Sequence, residues 1–266
     1  MGDVLRIGII QLEGVASKEG NLSKVRKLLR NARADLIVLP EYSMAPLPLI
    51  SKEELARVAE PLDGPFVKGL ADVAREKGAS IIAGIYEKAG DGVYNTAVII
   101  SSDGDLVASY RKVHLYDAYG AKESDYFLKG EEPPPVVDIG GWRVSVAICF
   151  DLRFPELFRT AALRGADLFA VPAAWFRGDG KEEILHSLAR VRAHENVAWL
   201  ALAVQYGQHF TGRSALIHPM GYVVLDLGYG EKYVEAEISK EELGKAREIL
   251  PLMKLRRPET YRGVCD

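Results

Sequence analysis

Three short segments of this chain carry side chains suited to nucleophilic chemistry, and the most informative of them surrounds Cys149. Trp142-Arg-Val-Ser-Val-Ala-Ile-Cys149 reads as a buried strand that ends on the thiol. Phe150-Asp-Leu-Arg-Phe-Pro155-Glu-Leu then turns into a helix, with Pro155 suited to its first turn. A thiol at a strand-to-helix elbow projects from the carboxyl edge of a sheet, where α/β enzymes keep their chemistry. The alternative reading is a structural cysteine, since free Cys is among the most buried residue types. The other two segments, Leu39-Pro40-Glu41-Tyr42 and Tyr110-Arg111-Lys112-Val113-His114-Leu115, add a carboxylate and an ammonium. A thiol becomes a nucleophile once deprotonated, and nearby positive charge lowers its pKa. Taken singly, Glu41 reads equally as a surface loop residue and Lys112 as a solvated strand-end charge.

The elements that must position these residues alternate from end to end. Val4 to Leu12 is β-rich, Lys18 to Ala32 has helical periodicity, and Asp35 to Leu39 is a short apolar strand. Pro65 to Lys77 is a helix ended by Gly78, followed by strands over Ala79 to Tyr86, Tyr94 to Ser101 and Leu106 to Ser109, with Asp103-Gly104 as a hairpin turn. Pro155 to Arg164 is helical and Asp167 to Val171 a strand. Lys181 to Glu195 is a helix whose expected buried stripe is Ile184, Leu188 and Val191. Val197 to Val204, Ser214 to His218, Tyr222 to Leu227 and Tyr233 to Ile238 complete the strands, and Ser239 with Glu242 opens a last helix as a capping box. No linker, repeat or low-complexity segment interrupts the series, which argues for one domain with two sheets, each covered by helices. The least regular stretch, Leu115 to Pro135, begins just after Lys112 and reads as a loop over the site.

At 266 residues the chain can bury a full core, and 48% hydrophobic, 27% charged residues and 25 glycines describe an ordinary globular protein. A net charge of −3 without a long basic stretch gives no reason to expect nucleic acid as a partner. No leader pattern and no apolar stretch long enough for a bilayer is read, so the expectation is a cytoplasmic protein with no membrane partner. Cys149 and Cys265 are the only cysteines, too few for a disulfide framework or a zinc cluster; Cys265 is expected to be a free thiol on a mobile tail.

The three segments, in their order, resemble the signature of the nitrilase superfamily of carbon–nitrogen hydrolases: a glutamate after an apolar strand, a lysine in a Tyr-Arg-Lys-like block, and a cysteine before an aromatic-Asp pair. The likeness continues through Gly92-Val-Tyr-Asn-Thr96, Val171-Pro-Ala-Ala-Trp175, Arg190-Val-Arg-Ala-His-Glu-Asn196, Gly212-Arg-Ser214 and Pro219-Met-Gly221, and so covers nearly the whole chain. The resemblance implies an α/β fold of four layers, an α-β-β-α sandwich, as one domain over residues 1–266 with 251–266 as a C-terminal extension. It also implies a triad of Glu41, Lys112 and Cys149. Lys112 would activate the thiol and later lie against the oxyanion, with the peptide N–H of Phe150 as second donor. Glu41 would serve as base on Cys149, acid to the leaving ammonia and base on the hydrolytic water. A second glutamate of related amidases, which positions substrate and lysine, matches Glu123 in Glu123-Ser124-Asp125, with Asp125 and Glu131 as substitutes if the loop aligns otherwise.

Arg153 also has a family counterpart, and either its bidentate fork holds a substrate carboxylate or it forms an ion pair with Glu156 or Asp151. Trp175 and Phe176 are pocket walls or core aromatics. His114, His186 and His194 are expected to be structural, and Arg190, Arg192 and Glu195 to form a salt-bridged face. The chemistry calls for no metal and no cofactor. The Cys149-to-Leu157 block looks most like the branch of omega-amidases and deaminated-glutathione amidases, which cleave a terminal carboxamide on an acid. An aliphatic nitrilase and a carbamoylase are the alternatives within the enzyme class. An inactive scaffold or assembly protein would lack a triad position, whereas all three are filled. No P-loop, Gly-x-Gly-x-x-Gly or Gly-x-Ser-x-Gly pattern supports a nucleotide-binding or serine-hydrolase reading. The family commonly forms homodimers or larger homo-oligomers, and the run Leu250 to Pro258 is expected to reach across such an interface.

Overall fold

A computed structural model of the chain describes residues 2–261; residues 262–266, Cys265 among them, lie outside the described part. The chain lays down two six-stranded sheets in succession. The first takes β1 (Val4–Gln11), β2 (Leu36–Val38), β3 (Ser80–Ala89), β4 (Gly92–Ile100) and β5 (Leu106–Arg111). The second takes β6 (Val136–Ile139), β7 (Trp142–Val146), β8 (Leu168–Ala173), β9 (Trp199–Val204), β10 (Ala215–Ile217) and β11 (Val223–Asp226). The last strand, β12 (Lys232–Ser239), returns to the first sheet and pairs antiparallel with β1 from Val4↔Ser239 to Gln11↔Lys232. Each sheet has a parallel centre, β1-β2-β3 and β7-β8-β9, flanked by antiparallel strands. Strands buried on both faces must be apolar throughout, and β2 and β8 are buried at every position.

The four layers follow from how side chains alternate. On β1 and β2, Ile7, Ile9, Leu36 and Val38 face the second sheet, while Ile10 and Ile37 face α1 (Lys18–Leu28) and α3 (Pro65–Lys77). On the far side, α4 (Pro155–Leu163) and α5 (Lys181–Asn196) cover the second sheet through Phe158, Ala161, Leu185, Ala189 and Ala193. The expected sandwich is therefore the observed one. Pro65 and Gly78 bound α3 as expected, with Gly78 left-handed at φ 61° and its N–H closing on the carbonyls of Ala74 and Arg75.

Two elements before the C-terminal extension escaped the sequence reading. The short helix α2 (Lys52–Val58) is announced by a capping box, with Glu54 N donating to Ser51 Oγ and Ser51 N to Glu54 Oε2. The other is β6. The stripe expected on α5 is also corrected. Ile184 and Leu188 are only half-buried and Val191 is 48% exposed, whereas Leu185, Ala189, Arg192, Ala193 and Asn196 are buried. Small alanines let the helix approach the sheet closely. Its buried polar members are satisfied, Arg192 Nε by the Leu152 carbonyl and Asn196 Nδ2 by the Arg192 carbonyl. Hydrophobicity therefore does not mark the buried face. After α6 (Lys240–Ile249), the described part of the C-terminal extension holds a short helix, α7 (Leu252–Leu255), and a tight turn, Pro258–Thr260.

One close approach fixes the loop after β2. Pro40 and Glu41 lie directly on β3, where Gly84 N donates to Pro40 O and Ser43 N to Gly84 O. A Cβ added at Gly84 would stand 2.5 Å from the Glu41 Cα, a backbone contact that cannot rotate away. Gly84→Ala is expected to cost about 1–3 kcal/mol, lowering Tm by roughly 3–10 °C, and to push Glu41 off its position. Thermal unfolding that matches wild type would overturn this account of the loop.

Candidate active site

The parallel strands of both sheets deliver their carboxyl ends to one cleft. Glu41 follows β2, Cys149 follows β7 after Ala147 and Ile148, Ala174 follows β8 and Gln205 follows β9. Lys112 comes immediately after β5, its N–H donating to the Asn95 carbonyl on the neighbouring β4 at 2.8 Å. The loop that begins at Leu115 folds back: Gly130 N donates to the Lys112 carbonyl, and a single tight turn, Glu123–Asp125, sets Glu123 against the lysine.

The charges are buried and fully engaged. Lys112 Nζ lies 2.9 Å from Glu41 Oε1 and 2.9 Å from Glu123 Oε2, and both ion pairs are shut off from solvent. Asn95 Nδ2 donates to both carboxylates, at 2.7 Å to Glu41 Oε1 and 2.9 Å to Glu123 Oε1. Glu41 Oε2 accepts from the Ala174 N–H at 2.7 Å, across the sheet interface. Glu123 accepts from Tyr42 Oη at 2.8 Å and from the Tyr116 N–H at 2.6 Å. Gln205 Nε2 donates to the Glu41 carbonyl at 3.0 Å, tying the end of β9 to the loop of the opposite sheet.

The two carboxylates are driven apart in proton affinity. Burial raises Glu41, Lys112 pulls it back down, Glu123 raises it further, and the balance leaves its pKa above the ordinary value. Burial also works on Glu123, yet Lys112 and the Tyr116 N–H outweigh it and leave that pKa lowered. Burial opposes charge on Lys112, but Glu123 and Glu41 together hold its pKa well above the usual amine value. Glu123 and Lys112 thus stay ionised while Glu41 is the group poised to take a proton. Burial first, and then Glu41, push the Cys149 thiol well above its ordinary value, with Lys112 acting the other way. Burial and Glu41 thus oppose the thiolate and Lys112 favours it, with the Glu41 carboxylate in the same cleft, as the expected triad requires.

Cys149 opens a single turn of tight helix, Cys149–Arg153, with φ at 46°. A non-glycine residue in this left-handed region is strained, and Tyr42, beside Glu41, is held the same way at φ 58°. Asp151 clamps the turn: it accepts from the Ile148 N–H at 3.0 Å, Tyr110 Oη at 2.9 Å and the His114 N–H at 3.2 Å, and pairs with His114 Nδ1 at 2.9 Å.

The cleft offers about 330 Å³ of empty space. Glu41, Lys112 and Cys149 form its floor, Tyr116, Phe150, Trp175 and Phe176 its walls, and Arg153 and Lys181 also line it. The structure thus brings together Glu41, Lys112, Cys149, Phe150, Arg153, Trp175 and Phe176, with Glu123 behind the lysine. The ion pair expected for Arg153 with Glu156 or Asp151 is not formed; Asp151 is occupied by His114, and the guanidinium sits 4.8 Å from the Trp175 ring centroid. Asp125 is an exposed partner of Lys122 and Glu131 is exposed, so neither substitutes for Glu123. His186 points to the Arg213 carbonyl, and Arg192 bridges Glu195 at 2.7 Å while the exposed Arg190 reaches the Gly221 carbonyl. Sequence reasoning missed Tyr42, Asn95, Gln205 and Lys181; Tyr42 and Gln205 lie just past the ends of β2 and β9, and Asn95 lies within β4 beside Lys112. Among the described residues no cluster of His, Cys, Asp and Glu is arranged to hold a metal ion, and no helix is long and apolar enough to cross a membrane.

A family model described as carbon–nitrogen hydrolase matches residues 6–248. A hydrolase of Mycobacterium tuberculosis is 35% identical over 270 residues, covering 94% of this chain and 95% of its own. The chloroplastic omega-amidase of Arabidopsis thaliana is 34% identical over 278 residues, covering 97% of this chain and 74% of its own. Among solved structures, Nit3 of Saccharomyces cerevisiae, a member of branch 10 of the nitrilase superfamily, superposes with a TM-score of 0.84 at 29% identity, covering 96% of this chain and 97% of its own.

The raised Glu41 pKa makes a stability prediction. Folding favours the protonated carboxyl, so that contribution is complete below the ordinary value of 4.5 and is lost as pH rises through the higher folded value. Glu41→Gln keeps the shape and removes the titration. The Tm of the variant minus that of wild type is expected to increase from about pH 4.5 towards neutrality. Calorimetry across that range showing a constant difference would contradict the assigned direction.

Proposed function

Because this chain belongs to the carbon–nitrogen hydrolase family, we propose that it hydrolyses a small carboxamide to the acid and ammonia through a thioester on Cys149. The observation that carries the reading is Lys112 Nζ, on the floor of the cleft that holds the thiol, 2.9 Å from each of two buried carboxylates. Glu41 takes the thiol proton as sulfur attacks the amide carbon. The oxyanion that forms is met by the Lys112 ammonium, held in place by its two carboxylates, and the Phe150 N–H. Glu41 then returns the proton to nitrogen, the C–N bond breaks and ammonia leaves. In the second half Glu41 accepts a proton from water, hydroxide adds to the thioester, and the collapsing intermediate expels the Cys149 sulfur, which regains its proton. Glu123 does not exchange protons in this cycle. It keeps Lys112 charged and in place. An amide rather than a nitrile is favoured by the omega-amidase among the relatives. The free thiol that the reaction needs suits a reducing compartment such as the cytoplasm.

Ammonia release tests this directly, with an aliphatic amide, a dicarboxylic monoamide, an N-carbamoyl amino acid and an aliphatic nitrile as the panel. The amides are expected to be cleaved and the activity to vanish in Cys149→Ala, while Lys112→Ala should lose at least about 10²–10³-fold, the scale of one oxyanion donor. Release from the nitrile alone, or activity that survives in Cys149→Ala, would refute the proposal.

We further propose a homodimer, supported by apolar side chains left exposed at Val191 on α5, Ile249 on α6 and Leu255 on α7. Light scattering at micromolar concentration should give twice the 29.3 kDa chain mass, and a monomer would exclude it.

A further inference from the structure

The donors around Lys112 divide unevenly between the four carboxylate oxygens. Glu123 Oε1 accepts from Tyr42 Oη at 2.8 Å, Asn95 Nδ2 at 2.9 Å and Lys112 Nζ at 3.1 Å. Its Oε2 accepts from the Tyr116 N–H at 2.6 Å and Lys112 Nζ at 2.9 Å. An ionised carboxylate has roughly four lone-pair sites, so Glu123 has none left for a proton. Glu41 is served differently. Its Oε1 accepts from Asn95 Nδ2 at 2.7 Å and Lys112 Nζ at 2.9 Å and is full, whereas among the described residues Oε2 meets one donor, the Ala174 N–H at 2.7 Å. The open site of the cluster therefore lies on Glu41 Oε2. That oxygen also faces the nucleophile: the Ala174 N–H that donates to it hydrogen-bonds Cys149 in favour of the thiolate, while the Glu41 carboxylate hydrogen-bonds the thiol and opposes ionisation.

Asn95 decides this distribution. It is wholly buried in β4, opposite Tyr86 of β3, and its carbonyl accepts the Lys112 N–H. Its side-chain amide donates to both carboxylates, and its Oδ1 is left buried with no hydrogen-bond partner. An unmet buried acceptor is costly, yet turning the amide over would aim that oxygen at two carboxylates, so the carboxylates dictate its orientation. The ionisable groups facing Glu41 are Lys112 after β5, Glu123 from its turn, Tyr42 next in sequence, Tyr86 from β3 and Cys149 from the second sheet. Lys112 is the cation of this set and is shared with Glu123; the Asn95 N–H groups lower the proton affinity of both carboxylates without adding charge.

Building on the amidase reading, we infer that Asn95 is a positioning residue for proton transfer: it fills Glu41 Oε1 together with Lys112 and bridges Glu41 to Glu123, which leaves Glu41 Oε2 as the oxygen that carries the proton. Oε2 takes the Sγ proton as sulfur adds to the amide carbon and passes it to nitrogen as the C–N bond breaks. In the second half Oε2 takes a proton from water as hydroxide adds to the thioester, and returns it to sulfur as the C–S bond breaks. Asn95 itself touches neither sulfur nor substrate in this scheme; it acts through Glu41.

The pH dependence of two Asn95 variants tests the inference. Asn95→Asp keeps the size of the side chain but loses the paired N–H donors, and the milder Asn95→Ser keeps a single donor. Fewer donors raise the Glu41 pKa, so reactions that need its ionised form begin at higher pH. The acidic limb of kcat/KM for ammonia release from an aliphatic amide is expected to move up by about one pH unit in Asn95→Asp and by less in Asn95→Ser. Alkylation of Cys149 by iodoacetamide needs the same proton removed from the Glu41–Cys149 pair, and its acidic limb should move in step. That reaction requires no turnover. A wild type that releases no ammonia, with an alkylation limb that still moves in the variants, sinks the amidase reading and upholds the role of Asn95. Alkylation limbs that coincide with wild type in variants of unchanged circular dichroism would overturn it. A loss of rate equal at every pH, the mark of a purely structural residue, would overturn it as well.

Discussion

The Lys112 ammonium, enclosed between Glu41 and Glu123, is the interaction on which the rest of the site depends. Removing three charges from water costs several kcal/mol per ion even after relaxation, roughly, and attraction between them offsets this only when every remaining lone pair is also met. The fold supplies those partners from many directions: Asn95 from β4, Tyr42 and the Tyr116 N–H from two loops, and the Ala174 N–H from the opposite sheet. The cluster is therefore a constraint on the sandwich as a whole. If the sheets shift, Glu41 Oε2 loses the Ala174 N–H and is left buried without that donor.

The same geometry divides the chemistry between sheets. The first sheet contributes the Glu41 carboxylate and the Lys112 ammonium, the second the Cys149 thiol and the Ala174 amide that donates to Glu41. A left-handed residue stands at each of two of these strand ends, Tyr42 just after Glu41 and Cys149 itself. Such residues cost of order 1–3 kcal/mol each and persist only where their surroundings over-determine them. Here that is done by Gly84 and Gln205 around Glu41, and by Asp151 with its four contacts around Cys149.

What could be read in the sequence had local causes. Pro65 and Gly78 bound α3 because φ preferences act on single residues, and the strand before Cys149 is apolar because the second sheet is covered on both faces. The grouping of Glu41, Lys112 and Cys149 was legible only as an ordered set of motifs. What stayed hidden depends on tertiary contact. Glu123 and Asp125 are two residues apart in one turn, and only the fold sends one to the lysine and the other to solvent. Arg153 had acidic neighbours in sequence, yet Asp151 was already engaged by backbone and His114. The buried side of α5 is drawn with Ala189, Arg192 and Asn196, so a pattern keyed to large apolar residues selects the wrong phase.

The pairing of β1 with β12 sets a schedule for the chain as it is made. Between Gln11 and its partner Lys232 lie roughly 220 residues, which a ribosome adding about 5–20 residues per second delivers over roughly 10–40 s. Through that interval β1, with Ile7, Ile9 and Ile10 on its two faces, has a vacant edge, and until the strands from Val136 to Asp226 emerge it also has no second sheet to cover it. The emerging amino-terminal half is thus the stretch most in need of a chaperone's shelter, and a nascent chain released before β12 would carry a ready template for pairing with another copy of itself.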